Sequence, residues 1–164
     1  MDIRIATETD LPAIIEIYNQ SVIAGFETAD LTPLKIEDRN SWFRDHHPEH
    51  NPIFVASDRD IVKGWISVSP YRSGRMALRF TKEISYYVIE DNRKQGLGTA
   101  LIEHVVKASK MINAKTLLAI VLDENKKSIV LLQKLGFNLW GRLPRVADFE
   151  GKECGHLYYG LRVN

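Results

Sequence analysis

The stretch NRKQGLGTALIEH, Asn92 to His104, sets two cations and two glycines ahead of a helical pattern. A helix N-terminus offers unpaired N–H groups and the positive end of the peptide dipoles, and glycines let those groups crowd an anion without Cβ interference. Gly96 and Gly98 can therefore build a diphosphate cradle; the plainer alternative is a tight strand-to-helix turn. A nucleotide P-loop needs G-x-x-x-x-G-K-[ST], which is absent, and the dinucleotide fingerprint fails because Leu101 stands at its third glycine. Glu83 is a second candidate, an acid among Phe80, Ile84, Tyr86 and Val88. HHPEH at 46–50 invites a metal reading, but Pro48 separates His47 from His50 and no H-E-x-x-H is present, so a solvated helix end is expected and no metal. Cys154 has no evident His–acid partner and reads as a packed thiol.

Several elements must carry these groups. IRIA alternates and predicts a short strand. Thr9 or Asp10 can cap a helix over 11–21, with Leu11, Ile14, Ile15, Tyr18 and Val22 on one face. A second helix is expected over TPLKIEDRNSWFRDH, with Thr32 as cap and Pro33 in the first position. PIFVAS and IVKGWISVS predict a hairpin around a turn at 58–60, and KEISYYVI a third strand that ends just before the glycine loop. The loop then opens a helix with Leu97, Leu101, Val105, Ala108 and Ile112 at helical spacing. KTLLAIVL is almost wholly apolar, the pattern of a strand covered on both faces. ENKKSIVLLQKLGF predicts a helix stopped by Gly136, and NLWGRL and CGHLYYGLRV two closing strands with a turn at 150–152. The order β-αα-βββ-α-β-α-ββ predicts an α/β sandwich with a mixed sheet.

With 164 residues, 45% hydrophobic and 26% charged, the chain has the profile of one soluble globular domain, 1–164. A net charge of +1 gives no global field for nucleic acid or a membrane surface, so any anion site must be local. One cysteine excludes an internal disulfide and a Cys-based zinc site. No apolar run approaches the roughly 18 residues of a membrane span, and MDIRIATETD lacks the basic and apolar regions of a signal peptide. A reducing, cytoplasmic setting is expected.

The spacing R-x-x-G-x-G, from Arg93 through Gly96 to Gly98, resembles the coenzyme A pyrophosphate loop of the GNAT superfamily of acyl-CoA N-acyltransferases, and the element order is similar along essentially the whole chain. Asn125, Ser128 and KLGF (134–137) resemble that superfamily's second cofactor motif. The string KEISYYVIEDNRKQGLGTALIEHVV, with IYNQSV, GFET and SPYR upstream, resembles the phosphinothricin acetyltransferase-like subgroup, which acetylates free amino acids and analogues of the phosphinothricin and methionine sulfone type.

This resemblance implies a mixed, mostly antiparallel central sheet flanked by helices, acetyl-CoA as donor with coenzyme A as product, and a homodimer. It implies that backbone at Tyr87 and Val88 binds the pantetheine arm, and that backbone N–H groups of Lys94, Gln95, Gly96, Leu97, Gly98 and Thr99 hold the pyrophosphate. Arg93 and Lys94 would add positive charge towards the adenosine phosphate, or form a solvated basic turn. Asn125 would bind pantetheine, cap the following helix, or do both, with Ser128 in the same motif. Arg72, then Arg75, would grip a substrate carboxylate, as guanidinium forks do, with Arg79 in the same loop. Phe26 and Glu27 would form the other wall of the substrate site; His156 would touch substrate or a neighbouring subunit, or alternate outward.

Glu83 takes the proton-acceptor role by the same resemblance. An amine with a pKa of about 10.4 needs roughly 4 kcal/mol to lose its proton at pH 7.4, and a general base contributes about 10²–10⁴-fold. The alternative is an edge-strand glutamate facing water or pairing with Lys82. One departure stands out: many GNAT enzymes carry a tyrosine, acid for the departing thiolate, where this chain has Leu132. A thiol pKa of about 8.5 makes the thiolate a tolerable leaving group without it. Two rival functions remain at this level. A protein lysine or N-terminal acetyltransferase would need an open groove, and a non-catalytic acyl-CoA-binding sensor would have no use for Glu83.

Overall fold

The computed structural model describes residues 1–93 and 95–164. Seven strands form one sheet: β1 (Asp2–Ile5), β2 (Ile53–Asp58), β3 (Ile61–Pro70), β4 (Thr81–Val88), β5 (Thr116–Leu122), β6 (Asn138–Phe149) and β7 (Lys152–Arg162). Their spatial order is β1-β2-β3-β4-β5-β7-β6. All neighbours are antiparallel except β4 and β5, so the expectation of a mixed, mostly antiparallel sheet flanked by helices is borne out. The β2–β3 turn forms at Arg59 and Asp60, both at positive φ, 48° and 67°, as a two-residue hairpin loop requires.

Helices cover both faces. On one face, α1 (Leu11–Ala24) buries Ile14, Ile17, Tyr18 and Val22 against Val55 and Trp65. On the other, α3 (Leu97–Ala108) and α4 (Lys126–Lys134) enclose the main core, which includes Ile66, Val68, Leu101, Leu117 and Phe137. Ile112 lies beyond the end of α3 but is still fully buried. Gly136 closes α4 at φ 85°, the left-handed conformation that glycine takes without strain. Among the described residues no helix is long and apolar enough to cross a membrane.

Two expectations need correction. The second helix does not begin at Thr32 and Pro33; a 3-10 turn at Ile36–Arg39 leads into a short α2, Asn40–Asp45. The cause is Asn19, whose amide donates to Leu34 O (2.9 Å) and accepts from Leu34 N (2.8 Å), gripping that backbone as a strand partner would. NLWGRL belongs to a longer strand, β6, that continues through Pro144 because Pro144 falls within a register shift on an edge strand.

Asp10 fixes where α1 starts. Its carboxylate takes both Arg4 N–H groups (2.7 and 2.9 Å) and Thr7 N–H (2.8 Å), tying β1 to the helix entrance. The Arg4 guanidinium holds the Asp10 carboxyl below its ordinary value, against the opposing effect of burial. A depressed carboxylate pKa stabilises the fold above the unfolded-state value and ceases to do so as pH falls through the native one. Asp10→Ala is therefore expected to cost about 1.5–3 kcal/mol in urea unfolding at pH 7, the worth of hydrogen bonds to a charged group, and the gap should close in acid. Equal stability at pH 7 would remove Asp10 as the anchor.

Candidate active site

β4 and β5 run parallel for three residue pairs only, Thr81–Thr116, Lys82–Leu117 and Glu83–Leu118. Beyond Glu83 the two strands part. On the other side, β4 stays paired with β3 without a register break from Lys82 to Val88. Tyr71 N–H donates to Thr81 O, and Ile89 N–H donates to Lys63 O. Antiparallel pairing alternates, so odd-numbered residues of β4 turn their backbone groups to β3, and Tyr86 and Val88 turn theirs into the gap. The expected backbone role of Tyr87 is corrected accordingly: its N–H and C=O face β3, and the groups that β3 does not claim belong to Tyr86 and Val88. Val88 C=O takes a 3.3 Å bond from Arg93 Nε.

The gap holds a narrow cavity of about 40 Å³ between β4 (Ile84 to Tyr87) and β5 (Ala119 to Val121), closed by Glu27, Asn125 and Ser128. Asn125 caps α4, its Oδ1 accepting from Ser128 N–H at 3.2 Å, and its Nδ2 makes no hydrogen bond among the described residues. At the loop end, Ala100 N–H makes the first α3 bond, to Gly96 O (3.0 Å). The N–H groups of Leu97, Gly98 and Thr99 precede it without helical partners among the described residues. The glycines serve the turn and the packing: Gly96 sits at φ 82°, as a tight turn needs, and a Cβ at Gly98 would stand 3.1 Å from Leu131 Cδ2. A bare Gly98 thus lets α4 approach α3. Gln95 is exposed and bonds Asp91 O; Lys94 lies outside the described residues.

Arg93 is not free to meet a phosphate. It forms a two-pronged ion pair with Glu27 (2.8 and 2.9 Å), joining the segment after α1 to the end of β4. Glu27 is correspondingly a wall of the narrow cleft rather than of a substrate pocket. Phe26 points elsewhere, 4.6 Å from the Phe149 ring with Lys152 Nζ 4.4 Å above it.

A larger cavity of about 250 Å³ opens on the α1 face of the same strand. Three cross-strand pairs make its floor: Trp65–Tyr87, Ser67–Ser85 and Ser69–Glu83. Ile14, Ile15 and Tyr18 of α1, with Arg39 and Trp42, make its walls. Ser85 and Tyr87 line both cavities, so β4 alone divides them. Glu83, the last paired residue before the strands part, lines the larger cavity, two residues before Ser85, which lines both. Burial raises its carboxyl pKa, and no charged neighbour offsets that. Among the described residues it has no ion pair; Lys82 faces the opposite side, where Nζ donates to Asn51 Oδ1 at 2.9 Å.

The substrate arginines need correction too. Arg72 and Arg75 are exposed and line neither cavity; Arg72 lies over Tyr71, and Arg79 over Phe80. The cavity's arginine is Arg39, 5.6 Å above the Tyr18 ring and 5.5 Å from Trp42, with Asp30 at 3.7 Å. Tyr18 Oη in turn bonds Asp30 and Thr28, and burial pushes its pKa up to about 12. His46 also faces the site. Trp42 C=O accepts from Nδ1 (2.7 Å), which leaves Nε2 to accept from the Ser69 hydroxyl (3.1 Å). Burial lowers its pKa, favouring this neutral form. His47 and His50 merely stack, 5.7 Å apart. His156 pairs with Leu122, on the same sheet face as Glu83 but across the gap, and lines neither cavity. Arg39, Trp42, Trp65 and Ser69 escaped the sequence reading, and His46 entered it only as part of a solvated helix end. The period-2 register of β3 against β4 brings Trp65 and Ser69 to the face of Glu83, and His46 joins through Ser69.

Comparison with known proteins agrees with this fold. Residues 3–157 match the acetyltransferase (GNAT) domain. YwnH of Bacillus subtilis, provisionally named a phosphinothricin acetyltransferase, is 36% identical over 99% of this chain and 96% of its own. The L-methionine sulfoximine/L-methionine sulfone acetyltransferase of Pseudomonas aeruginosa is 35% identical over 92% of this chain and 87% of its own. A phosphinothricin acetyltransferase from Sinorhizobium meliloti, solved with acetyl-CoA, superposes with a TM-score of 0.90 at 28% identity, over 98% of this chain and 87% of that one. The residues present fit such a donor: an unpaired strand edge for a polar arm, a bare helix N-terminus for phosphates, and a cap amide between them. The chain belongs to the GNAT acetyltransferase family and is an acetyl-CoA-dependent N-acetyltransferase.

Proposed function

We propose that the enzyme acetylates the amine of a small free amino acid or analogue of the methionine sulfone or phosphinothricin type, with Glu83 as proton acceptor. One observation carries the reading: an uncompensated, half-buried carboxylate lines an acceptor-sized cavity that shares Ser85 and Tyr87 with the donor cleft. At about 250 Å³ that cavity falls below the roughly 300–1,000 Å³ of drug-sized sites, which favours a single amino acid over a peptide. Arg39 supplies the cation for its carboxylate or oxyacid group. Glu83 and Ser69 receive the amine end. Because His46 holds the Ser69 proton, that hydroxyl turns its lone pairs to the cavity and accepts from the amine.

Glu83 takes one proton from the ammonium, which frees the lone pair for the thioester carbon. Acetyl-CoA supplies the acyl group with a thiolate that leaves unassisted, since Leu132 is fully buried in the core and brings no acid. The N–H groups opening α3 and the even-numbered backbone of β4 hold the donor, with Asn125 Nδ2 beside them. We read the protein as a cytoplasmic homodimer of one domain. The exposed Leu139, Trp140, Leu143 and Val146 on edge strand β6 support the dimer.

Thiol release from acetyl-CoA, measured against amino acids, their analogues and peptides, tests the substrate class; activity on peptides alone would overturn it. Glu83→Gln is expected to lower kcat/KM by about 10²-fold or more at pH 7, with a smaller defect as pH rises and the amine deprotonates in bulk. Stability should move the other way. A raised carboxyl pKa means the folded state loses stability as pH climbs from the unfolded value (near 4.5) through the native one, so the Gln variant should be no less stable at pH 7. Near-normal activity at pH 7, or a defect constant to pH 9.5, would make Glu83 structural.

Arg39→Ala should weaken use of the free acid by about 10–100-fold, from loss of a charge-assisted bond of about 1.5–3 kcal/mol, and should bring the acid and its amide to similar rates. Arg72→Ala should change neither. The reverse pattern would return the carboxylate to the 71–80 loop.

A further inference from the structure

Tyr86 is a buried polar group that the proposed chemistry leaves unused. Its side chain lies on the α3–α4 face of β4 with Ile84 and Val88, packed against the main core. Its ring passes beneath the glycine loop, with Cε2 3.9 Å from where a Cβ on Gly98 would stand. Its hydroxyl is shielded from solvent and has no hydrogen-bond partner. Ser128 lies alongside, close enough to favour the phenolate slightly, but outside hydrogen-bonding geometry. Asp123 Oδ1, the other such atom among the described residues, lies in neither cavity. Tyr86, by contrast, lines the narrow cleft together with Asn125 and Ser128.

A buried hydroxyl without a partner is costly, and native proteins seldom leave one so unless a ligand completes it. The pantetheine arm of coenzyme A carries two amides that lose water on entering a cleft. Strand edges can pair with their backbone-like groups, and the cleft's side-chain donors include Asn125 Nδ2, Ser128 Oγ and Tyr86 Oη. We propose that the Tyr86 hydroxyl is a hydrogen-bond donor to an amide oxygen of the pantetheine arm. This rests on reading the cleft as the donor site.

The same hydroxyl does not replace the acid missing at Leu132. Burial pushes the phenol pKa up to about 12, while a thiol titrates near 8.5. A phenol so much weaker as an acid keeps its proton while the thiolate departs. The bond is also made equally with donor and product, because it contacts the arm and not the reacting carbon. Its loss should raise KM for acetyl-CoA and leave kcat unchanged.

Calorimetric titration of wild type and Tyr86→Phe with two probes, coenzyme A and adenosine 3′,5′-bisphosphate, tests this. The second probe has the nucleotide but no pantetheine. Coenzyme A should bind the variant about three- to tenfold more weakly, with the bisphosphate unchanged. The ligand-free variant should melt no lower than wild type, because the orphaned hydroxyl is gone. Equal coenzyme A affinity, or equal losses with both probes, would overturn the proposal. So would a lower melting temperature with unchanged affinity, which would make Ser128 the partner, or a fall in kcat alone, which would make Tyr86 the acid. If wild type bound no coenzyme A, the donor-site reading itself would fail, a result distinct from any of these.

Discussion

The parting of β4 from β5 after Glu83 is the constraint on which the site depends. Central strands normally pair along their length, because an unpaired N–H or C=O inside a protein is costly. Here α3 and α4 converge behind the gap, Gly98 against Leu131, and leave part of both strand edges open. Alternation along β4 then separates two tasks. Odd residues bond β3 and send Glu83, Ser85 and Tyr87 to the acceptor cavity. Even residues offer backbone to the donor cleft and pack Ile84, Tyr86 and Val88 beneath α3 and α4. One strand can thereby present an amine and a thioester to each other from opposite sides.

Charge is distributed to suit. The chain is nearly neutral, and Arg93 of its basic loop is spent on Glu27. In the proposed reading the backbone N–H groups at the start of α3 hold the anion at that end. In the acceptor cavity Arg39 is held against aromatic faces with Asp30 to one side, while Glu83 stands unpaired and destabilised as a carboxylate. The connection between α1 and α2 serves both ends. Glu27 closes the donor cleft, whereas Thr28, Asp30 and Arg39 brace Tyr18 in the acceptor cavity.

The element order, the hairpin and the strand-to-helix glycine loop were legible because each has a local cause: period-2 alternation, positive-φ turn residues, a helix entrance. So was Glu83, an acid out of place on an apolar strand, and Asn125 as both cap and cleft residue. What escaped was set by contacts distant in sequence. Leu34 is held extended by Asn19, so a good cap–Pro signal at Thr32 and Pro33 does not start a helix. Arg93 looks free for phosphate until Glu27, 66 residues earlier, is placed beside it. Arg39 could not be placed at the larger cavity without knowing that Trp42, just after it, packs on Trp65 of β3. The parity of β4 also needed the register: backbone at Tyr87 or at Tyr86 are equal guesses until β3 claims one of them.

That parity allows a direct measurement. Residue-resolved amide hydrogen exchange along β4, with and without coenzyme A, reports which backbone groups the donor covers. The N–H groups of Tyr86 and Val88 should exchange readily in the free enzyme and slow markedly when coenzyme A binds, while those of Ser85 and Tyr87, already bonded to β3, should scarcely change. Protection appearing at Ser85 and Tyr87 instead, or none at Tyr86 and Val88 in a complex shown to have formed, would contradict the parted-strand account of the site.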